Sequence, residues 1–71
     1  MTKLEEKLIE LGYEQLMAYT DFITKKFFQS FIKPYKGITI ILEDGKITNY
    51  FPLEFNEELK KDLEELKNYE I

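Results

Sequence analysis

The chain has no cysteine, histidine, tryptophan, arginine or valine, one serine, and only three glycines among its 71 residues. Each absence removes a class of chemistry. Without cysteine there is no disulfide and no thiolate zinc site to supplement a small core, a usage that fits a reducing compartment. Without histidine no side chain has an ordinary pKa suited to acid–base work near neutrality, and there is no thiol nucleophile either. Ser30 lacks the Gly-x-Ser-x-Gly setting of an activated serine. The carboxylate pairs Glu43–Asp44, Glu57–Glu58 and Glu64–Glu65 make poor dyads, because adjacent acids on a helix point about 100° apart and the first pair begins a turn. "EDGK" offers too few oxygens for a calcium loop. Gly12, Gly37 and Gly45 are isolated and build no phosphate cradle. The residues therefore predict a protein that is not an enzyme, with no catalytic residue, no metal and no cofactor.

Long apolar runs are also missing. None approaches a membrane span, and the segment from Met1 to Glu10 is charged and amphipathic, unlike a signal peptide. The expectation is a single domain over residues 1–71, cytoplasmic, with no membrane contact. At this length only roughly 60% of the unfolded surface is buried on folding, so each core residue matters. The 44% apolar content is nonetheless enough for a folded core.

What is present is lysine, glutamate, isoleucine, leucine and aromatics, unevenly spread. Residues 1–21 carry two lysines and five acids, residues 22–42 four lysines and no acid, and residues 43–71 four lysines and nine acids, which sum to the net charge of -4. Acidic ends flanking a basic centre are what two helices with solvated acidic faces produce.

The first element is "TKLEEKLIELG". Thr2 and Glu5 form a capping-box pattern, Leu4, Leu8 and Leu11 repeat at helical spacing, and Gly12 suits a helix end; a helix over 2–11 follows. The last is "NEELKKDLEELKNYE". Asn56 suits an N-cap and Glu57 and Glu58 the first turn. Leu59, Leu63 and Leu66 form a stripe that Phe55 and Tyr69 extend, which predicts a helix over 57–69. Lys60 and Lys61 stand one turn before Glu64 and Glu65, in reach for pairing.

Between the helices lies the sheet signal. In "GITIILEDGKITNYF", Asp44-Gly45 is a two-residue turn requiring positive φ twice. A regular ladder then faces Glu43 with Lys46, Leu42 with Ile47, Ile41 with Thr48, Ile40 with Asn49, Thr39 with Tyr50 and Ile38 with Phe51. Alternation places Ile38, Ile40, Leu42, Ile47 and Phe51 under the helices, and Thr39, Ile41, Glu43, Lys46, Thr48 and Tyr50 on the other face. "YEQLMAYTDF" reads as a strand near 13–19 followed by a turn. Leu16, Tyr19, Ile23, Phe27 and Phe31 also fit a helical stripe, but Thr, Tyr and Phe are weak helix formers.

The stretch "KKFFQSFIKPYKG", residues 25–37, packs four lysines and four aromatics together. As a strand it shows Phe27, Phe31 and Tyr35 on one face and Phe28, Ile32 and Pro34 on the other, so sequence leaves open which face is core. The fold class that results is α+β, a two-layer, antiparallel four-stranded meander with both terminal helices on one face (α-β-β-β-β-α).

Two blocks, "LEEKLIELGYE" and "LKKDLEELKNYE", together with "ITIILEDGKITNYF", resemble small uncharacterised proteins carried by phages and prophages of low-GC Gram-positive bacteria. The match covers both ends and the central hairpin. The resemblance implies a mobile-element origin and supplies no function or site residue.

One sheet face is left uncovered, and that bounds the function. The expected reading is a non-enzymatic protein-binding module docking a host target or another copy, a homodimer included, through Ile41 and Tyr50 joined by Phe27, Phe31 and Tyr35, or else by Phe28 and Ile32. A second reading is an acidic inhibitor of host nucleic-acid machinery, anti-CRISPR-like, presenting Glu57, Glu58, Asp62, Glu64 and Glu65 as a partial DNA mimic, diluted by Lys60, Lys61 and Lys67. A third is a homo-oligomeric accessory protein. Direct nucleic-acid contact is disfavoured, because the chain is acidic and lacks arginine. Lys25, Lys26, Lys33 and Lys36 read more simply as strand-rim charges.

Overall fold

A computed structural model describes residues 2–52, 54 and 56–69. The order is α1 (Lys3–Glu10), β1 (Glu14–Thr20), β2 (Phe27–Lys33), β3 (Ile38–Glu43), β4 (Lys46–Phe51) and α2 (Glu57–Leu66), which ends in a 3-10 turn over Lys67–Tyr69. The four strands form one open antiparallel sheet in the order β1-β2-β3-β4. This is the two-layer α-β-β-β-β-α meander the sequence predicts.

The helices begin where their capping residues stand. In α1 the Glu5 N–H donates to Thr2 Oγ1 at 3.1 Å, and the Thr2 N–H donates to Glu5 Oε1 at 3.0 Å, closing both halves of the box. That backbone N–H, followed by burial acting in the opposite sense, leaves the Glu5 carboxyl below its usual range. In α2 the Leu59 N–H donates to Asn56 Oδ1 at 2.9 Å. Both helices lay their leucines on the sheet. Leu4, Leu8, Leu59 and Leu66 are buried with Tyr13, Phe31, Ile38, Ile40 and Leu42, and Leu11, Ile47 and Leu63 pack against this cluster. Phe55, expected to extend the α2 stripe, lies outside the described residues. Neither described helix is long and apolar enough to cross a membrane.

The strand turns follow their chemistry. Asp44 and Gly45 take φ of 51° and 82°, the two positive values a tight hairpin needs. The helical reading of residues 13–33 does not hold, since β1 and β2 pair along most of their lengths. Register departs from expectation in one place. Glu43 faces Lys46 and Leu42 faces Ile47 as predicted, but a bulge follows, so that Ile41 faces Asn49, Ile40 faces Tyr50 and Thr39 faces Phe51. One extra residue in β4 exchanges the faces of everything beyond it. Tyr50 therefore stands on the helix side and Phe51 on the bare side, the reverse of the regular ladder. The Asn49 side chain accepts the Tyr50 N–H at 3.0 Å, which satisfies a donor at this edge. A second bulge lies in the other edge strand, between Gln15 and Met17.

Candidate docking face

Cross-strand partners share a sheet face, so the register fixes the bare side as a grid of three rows. One end row is Glu14, Ile32, Thr39 and Phe51; the middle row is Met17, Ser30, Ile41 and Asn49; the other end row is Tyr19, Phe28, Glu43 and Lys46. Half of these twelve positions are large and apolar. Met17 (56% exposed), Tyr19 (52%) and Phe51 (43%) are open to solvent, while Phe28, Ile32 and Ile41 are half-buried by their neighbours alone. The Tyr19 and Phe28 rings stack with centroids 5.4 Å apart, a cross-strand aromatic pair that stiffens this corner. Three small polar residues, Ser30, Thr39 and Asn49, separate the apolar ones. Charge is confined to the ends of the grid, and Lys26 holds Glu43 at 2.6 Å.

The predicted docking residues do not all gather here. Ile41 does, at the centre. Phe31 is 1% exposed and belongs to the core between sheet and helices. Phe27 shares the Phe31 side and stands at the strand end. Tyr35 lies in the β2–β3 turn with φ of 65°, wholly exposed. Tyr50, turned by the bulge, lines an apolar groove of about 260 Å³ with Pro52, Leu59 and Leu63 of the helix layer. The alternative pair, Phe28 and Ile32, is the one that joins Ile41. Met17 and Tyr19 had an alternation signal in β1, whereas Phe51 needed knowledge of the bulge. The turn after β1 also presents Phe22 and Ile23 to solvent, on a loop where Asp21 Oδ1 accepts the Ile23 and Thr24 N–H groups.

The acidic set is likewise divided. Asp62 is buried (4% exposed), not a surface charge. Its Oδ2 accepts the Tyr13 hydroxyl at 2.8 Å and the Lys33 ammonium at 2.9 Å. Lys33 also lies 2.9 Å from Glu58 Oε2, at ion-pair distance but out of line for a hydrogen bond, and Lys36 reaches Glu58 Oε1 at 3.7 Å. The Lys33 ammonium lies 5.2 Å from the Tyr13 ring centroid. Burial first, then the hydrogen bond to Asp62 and the charges of Asp62 and Glu58, push the Tyr13 phenol far above its ordinary range. Burial pulls Lys33 down, but Asp62 and Glu58 outweigh it and hold its pKa up. Lys33 draws the Glu58 carboxyl below its usual value. Glu65 pairs with Lys7 of α1 at 3.4 Å rather than along its own helix. Only Glu57 and Glu64 of the five remain exposed without an ion pair among the described residues. These contacts knit α2 to β2 and α1; they are internal cement and not an anionic surface.

The helix spacing held a signal for Asp62. It stands three residues after Leu59 and four before Leu66, on the buried stripe itself. In β2, Gln29 and Lys33 share the Phe31 side, and both find helix partners, Lys33 in Asp62 and Gln29 in Glu5, whose Oε2 accepts from Gln29 Nε2 at 3.1 Å; Gln29 Nε2 also donates to Gln15 Oε1 of β1 at 3.2 Å.

No protein-family model matches the chain, and neither curated proteins nor solved structures give a significant match.

Proposed function

We propose that the chain is a small, non-enzymatic protein-binding domain of a phage or other mobile element, working in the cytoplasm of a bacterial host and docking a protein through the bare sheet face. The observation that carries this reading is the grid. A two-layer fold covers one side of its sheet with helices and leaves six large apolar side chains on the other, stiffened by a stacked aromatic pair and interleaved with small polar groups. Such a surface gains free energy when another protein covers it, at roughly 25 cal/mol per Å² of apolar area removed from water. Its charges sit at the rim, where they steer partners and select their orientation. The acidic-inhibitor reading draws less support, because three of its five carboxylates already serve lysines of the same chain.

The test is a photo-crosslinking residue at Ser30, in the middle row, against the same residue at Glu64 on the outer side of α2. The expected result is protein adducts from position 30 in host cells, absent from position 64 and lost in Ile41→Asp, with little response to added salt. No adduct from position 30, or equal adducts from both positions, refutes the reading.

A further inference from the structure

Resting on that reading, we infer that the bare face takes a second copy of this chain, packed face to face with its strands crossing at about a right angle. The argument comes from charge and shape on the grid. Its outermost Cα positions span about 14 Å across the strands and about 13 Å along them, from strand spacing and rise. The grid is therefore nearly square. Glu14 and Lys46 occupy diagonally opposite corners, both are exposed, and neither has an ion pair among the described residues. Tyr19 and Phe51 occupy the other two corners.

Face-to-face association of identical chains uses a two-fold axis lying between the sheets. Four orientations of that axis lay the grid on itself. Along the Glu14–Lys46 diagonal, the axis sets Glu14 on Glu14 and Lys46 on Lys46, like charge on like, which is unfavourable. Run along the strands, it sets Glu14 of one copy over Phe51 of the other. Run across the strands, it sets Glu14 over Tyr19. In both, a carboxylate is pressed on an aromatic ring and loses water without a partner. Run along the Tyr19–Phe51 diagonal, it exchanges rows with columns and sets Glu14 over Lys46, twice by symmetry. Glu43 is drawn toward the same corner, but Lys26 already neutralises it at 2.6 Å. That corner, with Lys26, Lys46 and Glu43, carries one net positive charge, and Glu14 of the other copy balances it. Exchanging rows and columns is the orthogonal class of sheet packing, one of the two that sheets favour.

The area sets the strength. Four strands and about six residues of length make a footprint of about 19 by 20 Å. Two such faces together cover on the order of 800 Å² of flat area, the low end of specific interfaces, as weak and transient complexes use. The dimer is thus reversible, and its four layers run helices, sheet, sheet, helices.

The experiment is sedimentation equilibrium from about 10 μM to about 1 mM, the range in which a weak dimer forms. The mass is expected to rise from 8.6 kDa toward twice that value. Glu14→Lys and Lys46→Glu, each at an exposed rim position, are each expected to raise the dissociation constant about tenfold, because each altered contact occurs twice per dimer. The double variant Glu14→Lys/Lys46→Glu is expected to restore it, which neither aligned packing does. Circular dichroism of each variant reports that the fold is intact. A chain monomeric throughout, or a double variant no tighter than the singles, overturns the inference. A monomeric chain whose Ser30 probe still crosslinks a different protein sinks the second copy and leaves the docking reading standing; no adduct of any kind ends both.

Discussion

Asp62→Ala probes the buried cluster directly. The substitution leaves the Tyr13 hydroxyl, which donates to Asp62 at 2.8 Å, buried without an acceptor. An orphaned buried donor costs about 1–3 kcal/mol. Removing one member of a buried ion pair costs about 3–5 kcal/mol when the other is stranded, but Lys33 keeps Glu58 at 2.9 Å and some access to water, so the lower end applies. About 3 kcal/mol in total is the expected loss. A domain of 71 residues has only about 4–10 kcal/mol to lose, at roughly 0.05–0.15 per residue. Tyr13→Phe is the matched control: it removes the hydroxyl while Asp62 keeps Lys33, and should cost about 1 kcal/mol. Urea unfolding followed by far-UV circular dichroism suits a chain without tryptophan. With a slope near 1 kcal/mol/M, the midpoints should fall by about 3 M and about 1 M respectively. In the Tyr13→Phe background Asp62→Ala should cost less, since the donor it would orphan is gone. A loss below about 1 kcal/mol for Asp62→Ala, or equal losses for the two single variants, refutes the claim that Asp62 anchors this cluster.

Three further outcomes follow from the same geometry. Phe31→Ala should cost about 3–5 kcal/mol and Phe28→Ala under about 2, because only Phe31 lies beneath the helices; thermal melts of the pair check which face of β2 is core. Gly45→Ala should destabilise by about 1 kcal/mol, since φ there is 82°, and Gly45→Asn by less, read from the same melts. Stability should be flat in mid-range pH and fall at both ends. Glu5 and Glu58 have lowered folded-state pKa values, so their contributions are complete above about 4.5 and are lost as pH falls below it. Tyr13 and Lys33 are raised, so theirs are complete below about 10 and are lost as pH climbs beyond it; urea midpoints across pH test both limbs, and a midpoint unmoved between about pH 9 and 11 contradicts the alkaline one.

The helices and the β3–β4 turn were legible in the sequence because each is specified locally: a cap, a stripe of leucines, an Asp-Gly pair. The order of the strands followed from the short connections. Two things were not legible. The side of β2 that forms the core was open because Phe27 and Phe31 match Phe28 and Ile32 in bulk. What decides it is distant: Gln29 and Lys33 share the Phe31 side, and their partners Glu5 and Asp62 lie on the two helices. The bulge in β4 carries no compositional mark, yet it moves Tyr50 off the bare face and Phe51 onto it. Three of the five docking residues expected from sequence, Phe27, Phe31 and Tyr50, stand on the helix side of the sheet for these two reasons, and Tyr35 stands in a turn.

The order of the strands in space is their order along the chain, with connections only over residues 21–26, 34–37 and 44–45. Each strand can therefore add to its predecessor by closing a short loop, at small entropic cost, before either helix docks. The Asp44–Gly45 hairpin is the natural nucleus, and a chain wired this way should reach its native state in milliseconds or less, quicker than sandwiches whose strands pair across long stretches of sequence.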